Sequence, residues 1–257
     1  MKAINKMNRL SLKELDSAAL ILVLQREIMN APDFFDANKV FDAVDLATYL
    51  HRKATRMNRA NLPRTPYIEH PLRNTIRLLR AGCYSETVII ATILHDVLED
   101  CADEILTEFL GYSDLSNISE HDKREIALKY LVSQFGEKVC DIVFAVSNGI
   151  LPAGLPVAEK NAKYAAHVAD AIKDPFVFCV KYTDVVDNAT GLYHNVVENG
   201  DNSGVARRAT KYLLIIEEFE KTFESVRSRL PINEDAKEDI LATLMLTRVR
   251  LNNLVGI

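Results

Sequence analysis

The segment Val88-Ile-Ile-Ala-Thr-Ile-Leu-His95-Asp96-Val-Leu-Glu99-Asp100 closes an apolar run with four ionisable side chains. At about 100° per residue on a helix, His95, Asp96, Glu99 and Asp100 share one arc of about 140°. Burying four such groups without partners is costly. A divalent cation offsets carboxylate charge, and a His-Asp pair is a suitable ligand set for one. By spacing alone, the same four residues could also end an ordinary solvated helix. A second patch is Pro66-Tyr67-Ile68-Glu69-His70-Pro71-Leu72. His70 precedes a proline suited to a first helical turn, where its imidazole can point into a neighbouring groove; the plain alternative is a surface histidine beside a turn. The third patch runs from Phe176 to Asn188, where an apolar helix acquires Lys181, Asp184 and Asn188. Asp184 and Asn188 stand at i and i+4, on one face. An aspartate this deep in an apolar helix takes a partner, whether a basic side chain, a cap or a metal. Lys181, three residues earlier, is the plain one.

Helical periodicity holds nearly everywhere, so helices must position these patches. Helices are expected at Leu15–Met29, Asn38–Met57, Pro71–Ala81, Ser85–Asp100, Lys123–Phe135, Glu137–Val146, Val157–Ile172, Pro175–Ala189, Val205–Arg229 and Asn233–Leu254, with a short one at Asp103–Leu110. Ser85 suits an N-cap and Gly82 a helix end. Loops fall at Asn61–Pro66, Gly111–Ser119, Asn148–Pro156 and Tyr193–Ser203. No strand pair stands out. The fold class expected is all-α, a bundle of about ten helices in a single domain.

Composition narrows the function. Of 257 residues, 48% are apolar and 26% charged, which is the balance of a folded soluble chain with a core. A net charge of −5 lacks the electrostatic footprint of a nucleic-acid binder. The longest purely apolar run, Ala18–Leu24, is far short of a membrane span. Asp16 before it and Gln25-Arg26-Glu27 after it do not read as a signal peptide. Cys83, Cys101, Cys140 and Cys179 form no CxxC pair and read as reduced thiols of a cytoplasmic protein. Between Leu46 and Ile68 there is no acid, while Arg52, Lys53, Arg56, Arg59 and Arg64 fall there, followed by Arg73, Arg77 and Arg80. This basic stretch is the expected phosphate- and base-facing rim, against the plain alternative of a solvated helix face.

Together, in this order, the three patches resemble the HD phosphohydrolases, and specifically the hydrolase domain of Rel/SpoT proteins and the stand-alone small alarmone hydrolases. The resemblance rests on Pro66–Pro71, His95–Asp100 and Val180–Asn188 and spans Phe41 to Leu192, with residues 1–38 an N-terminal helical extension and 200–257 C-terminal helices. It implies that His70, His95, Asp96 and Asp184 ligate one Mn²⁺ and that Glu99 and Asp100 do the proton and water work. It further implies that Asn188 contacts the nucleotide; Arg56, Arg59 and Arg64 of the basic stretch, and Lys181, are taken with it as the expected substrate-binding set. The implied reaction removes the 3′-pyrophosphate of ppGpp or pppGpp, giving GDP or GTP. The residues agree with this chemistry: two imidazoles and two carboxylates with open positions suit Mn²⁺, and Glu99 lies one turn from His95, within reach of a water.

The chain also departs from the family. The family's Arg-Lys pair ahead of the PYIxHP segment falls on Asn61 and Leu62, and the family's ADR triplet is Thr183-Asp184-Val185. Arg56 or Arg59 are the candidates for the base-stacking role. The link from Asp100 to Phe135 is longer than the family's. No synthetase domain fits the remainder, so a hydrolase is expected, acting on a small nucleotide. Such an enzyme could act as an antitoxin on the product of an alarmone synthetase. The alternatives are an HD phosphohydrolase acting on pppApp or NADPH, and a catalytically silent helical module that binds a nucleotide or a partner. The oligomeric state is not legible.

Overall fold

The structure is a computed structural model describing residues 6–7, 10–33, 35–58, 62–152 and 154–256. It is a helical bundle, and several helices begin where the sequence supplies a cap. α1 (Ser17–Met29) starts on Asp16, whose side chain accepts from the Ala19 amide at 2.8 Å. α2 (Ala37–Leu50) starts on Asp36. α3 (Glu69–Arg80) ends at Gly82, whose φ of +77° favours glycine. The side chain of Asn233 lies where a Cβ on Gly82 would sit, and the Asn233 amide donates to Ala81 O at 2.9 Å. The last helix is thereby docked on the end of α3.

α4 (Glu86–Leu94) is buried from Val88 to Leu94 and packs against α2, α3, α8 and α10. After it come α5 (Val97–Asp100), α6 (Ala102–Glu104), a π-helical turn at Ile105–Phe109, α7 (Glu120–Phe135), α8 (Glu137–Val146) and α9 (Val157–Ala171). α10 (Pro175–Gly191) has proline in its first turn, and the Asp174 side chain accepts from the amides of Phe176 and Val177. α11 (Ser203–Val226) and α12 (Glu234–Val255) pair along their lengths and cover α10. The buried apolar side chains form a contiguous cluster running from Leu15 to Leu254.

Three local expectations differ from what the structure shows. The helix expected to reach Met57 stops at Leu50, and Thr55–Arg56 pairs antiparallel with Thr65–Pro66. Arg64 closes this small ribbon by donating to Thr55 O and Oγ1. The helix expected from Ser85 to Asp100 is interrupted at His95–Asp96. There the His95 Nδ1 bonds Thr92 O at 2.8 Å, a carbonyl that would otherwise serve the helix ladder. No helix among the described residues is long and apolar enough to cross a membrane.

Candidate active site

α3, the break between α4 and α5, and α10 meet at one point. Each brings donor atoms to it. His70 Nε2 and His95 Nε2 are 3.3 Å apart. Asp184 Oδ1 is 3.1 Å from the first and 3.6 Å from the second. Asp96 Oδ2 lies 3.1 Å from His95 Nε2 and 3.7 Å from His70 Nε2. The interruption at His95–Asp96 is what turns both side chains to the same side.

The donor set fits a divalent cation. His95 Nδ1 faces a carbonyl, which can only accept, so Nδ1 carries the proton and the Nε2 lone pair faces inward. His70 Nδ1 faces the Asp187 carboxylate at 2.8 Å, which fixes the same tautomer. Two lone-pair nitrogens and two carboxylates thus converge without a proton of their own to share. Ligands about 2.1 Å from a metal, at about 90–110° to one another, stand about 3.0–3.5 Å apart, close to the spacing found here. Without an ion, a proton is drawn in. Burial opposes a charge on His95, but the charge of Asp96 and hydrogen bonds to Asp184 and Asp96 raise it well above its ordinary value. Burial and the nearby Arg56 push His70 down. Among the described residues, His70, His95 and Asp184 form a buried group able to hold a metal ion; Asp96, the fourth expected ligand, adjoins both imidazoles from outside that group.

Asp184 is also gripped from outside. Its Oδ2 receives Lys181 Nζ at 3.2 Å and its Oδ1 receives Asn188 Nδ2 at 2.6 Å. Lys181 is therefore no rim residue: it is 4% exposed, bonds Val146 O at 3.1 Å and holds Asp184. Asn188 Oδ1 accepts from Arg56 Nη2 at 2.5 Å, linking the donor cluster to the basic loop. Tyr67, a residue to which the sequence assigned no role, donates to Asp96 Oδ2 at 2.6 Å and stacks on His51. Asp187, also unassigned, pairs with His70, Arg73 and Arg77 and is fully buried. Its spacing of three residues from Asp184 on one helix was a readable signal.

The two expected acids sit differently. Glu99 is clamped by Asn148, whose backbone amide donates at 2.6 Å and whose Nδ2 lies 2.8 and 3.0 Å from the two oxygens. Asp100 stands at the exposed end of α5. Partial desolvation and the charges of Asp96 and Glu99 push its carboxyl up to about 6.

The basic stretch divides. Arg56 and Arg64 line a cavity of about 330 Å³ with Lys13, Asn188, Arg208 and Tyr212. Arg59 lies outside the described residues. Arg52 turns away to Glu108 and Arg80 to Glu27, while Arg73 and Arg77 face Asp187. These four are corrected from rim to ion-pair residues, since each finds a carboxylate distant in sequence. Sequence reasoning missed a second basic cavity, about 380 Å³, lined by Lys160, Lys163, Lys211, Tyr164 and Asn148. Asn148 joins it to Glu99, as Asn188 joins the first cavity to Asp184.

No protein-family model and no curated protein matches the chain. Among solved structures, it is similar to a metazoan ortholog of SpoT described as hydrolysing ppGpp and playing a role in starvation responses. The TM-score is 0.52 at 20% identity, covering 76% of this chain and 97% of the other. The chain shares the all-helical fold of that structure.

Proposed function

We propose that the chain is a metal-dependent phosphohydrolase that removes the 3′-pyrophosphate from guanosine tetra- and pentaphosphate alarmones. The observation that carries the reading is the convergence of His70, His95, Asp96 and Asp184, with one basic cavity linked to Asp184 through Asn188 and another linked to Glu99 through Asn148. The similar metazoan structure, described as a ppGpp hydrolase, supports the same substrate class. The sequence motifs support Mn²⁺ as the ion. An enzyme of this kind would lower an alarmone pool and so oppose a synthetase through its product.

When bound, the ion supplies Lewis acidity, acidifying a water and drawing charge from a phosphoryl oxygen. The chain's own residues do the rest. His70, His95, Asp96 and Asp184 hold the ion. Glu99, fixed at both oxygens by Asn148, keeps one geometry in which to orient a water. Asp100, at the exposed end of the same helix turn, is the second carboxyl that can carry a proton to the leaving group. Arg56, Arg64, Lys13 and Arg208 offer charge to one end of a polyanion, and Lys160, Lys163 and Lys211 to the other.

The test is incubation with Mn²⁺ and, separately, ppGpp, pppGpp, pppApp and NADPH, with products resolved by chromatography. Pyrophosphate released from the guanosine compounds is expected. Turnover of pppApp or NADPH alone would move the substrate, and inertness toward all four would overturn the hydrolase reading.

A further inference from the structure

Asp187 lies behind the donor cluster, on the far side of His70. Its Oδ2 takes the His70 Nδ1 proton at 2.8 Å. Arg73 grips it with a two-point fork, Nε to Oδ1 and Nη2 to Oδ2, both at 3.0 Å. Arg77 Nη2 stands 2.8 Å from Oδ1, and Lys13 Nζ is 3.5 Å from Oδ2. Asp187 and Arg73 are fully buried. The Arg73 fork alone would satisfy this carboxylate as a structural pair. Adding Arg77 and a lysine from the N-terminal segment sets three cations, of which Arg73 is shared with buried Glu69 at 3.7 Å, behind a cluster shaped to hold a fourth. A structural pair does not require the other two. Tuning of the imidazole does, because an outer carboxylate on a metal-ligating histidine sets both ring orientation and donor strength.

We propose that Asp187 is a positioning residue for His70, and that Arg73, Arg77 and Lys13 set how much of its negative charge reaches the imidazole. This rests on the metal-centred reading above. Asp187 holds the ring so that Nε2 presents its lone pair inward. The three cations draw charge off the carboxylate, so the imidazole is a weaker donor than an unshared carboxylate would make it, and the ion is held less tightly.

Lys13 comes to this carboxylate from the N-terminal segment, its side chain 7% exposed. It sits on the short 3₁₀ turn Leu12–Glu14 and is tied to the segment joining the two ribbon strands by Asn58, which donates to Lys13 O at 3.3 Å. Its ammonium passes directly over Gly191, where an added Cβ would meet Nζ at 2.7 Å. Gly191 has ordinary helical dihedrals, φ −63° and ψ −29°. Alanine therefore fits the backbone there, and its methyl displaces the lysine without changing any charge.

The experiment is Mn²⁺ titration calorimetry on the full chain, without nucleotide, for wild type, Asp187→Asn, Lys13→Met and Gly191→Ala, with folding checked by circular dichroism. Asp187→Asn is expected to weaken Mn²⁺ about 10–100-fold, the usual cost of losing such a partner. Lys13→Met and Gly191→Ala are expected to tighten it several-fold. The opposite signs separate tuning from damage, since general loosening weakens all three. If Asp187→Asn does not fold, the lysine and glycine variants carry the test alone. Unchanged affinity in Asp187→Asn, or weaker binding in Lys13→Met and Gly191→Ala, overturns the proposal. Wild-type protein that binds no Mn²⁺ overturns the metal-centred reading instead. Imidazole ¹⁵N spectra of the metal-free protein then judge Asp187 separately: an Nδ1–H tautomer at His70 supports its positioning role, and an Nε2–H tautomer refutes it.

Discussion

Asp184→Asn should cost more stability than most single substitutions, and adding Lys181→Met should return part of it. The Lys181 ammonium and the Asp184 carboxylate are 3.2 Å apart, with side chains 5% and 8% exposed. Neutralising Asp184 leaves the ammonium with Val146 O at 3.1 Å and the Tyr164 ring at 5.4 Å. Breaking one member of a buried pair costs about 3–5 kcal/mol. Relief of repulsion between Asp184 and Asp96 offsets some of this, so the lower end, about 3 kcal/mol, is expected. That is a large share of the roughly 5–15 kcal/mol that holds a typical domain together. Methionine fills the aliphatic volume of Lys181 without its charge, so the double variant should lie within about 1–2 kcal/mol of wild type. Urea unfolding in the presence of chelator reads these differences without the stabilisation that a bound ion would add. The double variant should regain stability but not Mn²⁺ binding. Asp184→Asn within about 1 kcal/mol of wild type, a typical surface effect, would refute the buried pair. So would a double variant less stable than Asp184→Asn.

His95→Ala and Asp96→Asn should each lose Mn²⁺ binding and hydrolysis together; hydrolysis without bound ion would separate the two. Glu99→Gln should keep Mn²⁺ affinity while kcat falls about 10²–10⁴-fold, the range for a lost proton-transfer group; normal turnover would remove Glu99 from the mechanism. Arg56→Ala, which frees Asn188 and opens the basic cavity, should raise KM for ppGpp more than it lowers kcat. The metal-free protein should also lose stability with rising pH. His95 is held protonated above its unfolded value of about 6.5, against burial, by Asp96 and Asp184. A raised folded value stabilises fully below the unfolded one, and that contribution is lost as pH climbs through the raised value. The urea midpoint in chelator should therefore fall from neutral into alkaline pH, while the Mn²⁺-loaded midpoint, with that proton displaced, stays nearly level. Lys13 and Lys211, lowered by burial, pull the other way, so the check is a comparison with His95→Gln: an equal alkaline slope in the two proteins would contradict a protonated His95.

Much of the scaffold was readable because its signals are local. Apolar periodicity, Pro71 and Gly82 marked most of the helices within a few residues of the expected spans, the helix ending at Leu50 and the broken one at His95 apart. The four side chains that meet at the candidate site were marked in the sequence as well, since each stands out as a polar group in an apolar or turn setting. The break at His95–Asp96 was not, because it depends on a side chain competing for Thr92 O, an event periodicity does not register. The two-residue ribbon at Thr55 and Thr65 is too short to alternate. The rim arginines failed for a different reason. Local sequence counts their charge but does not say which way they face, and their partners lie far off: Arg52 finds Glu108, and Arg73 and Arg77 find Asp187. Lys13 and the Asn148 clamp on Glu99 are likewise long-range, and nothing near them in the chain announces a role.

The most direct test of the metal-centred site is a crystal grown with Mn²⁺ and measured on both sides of the manganese absorption edge. One strong anomalous peak is expected within bonding distance of His70 Nε2, His95 Nε2, Asp96 Oδ2 and Asp184 Oδ1. A map with no peak there, or with those side chains turned to separate partners, would contradict it.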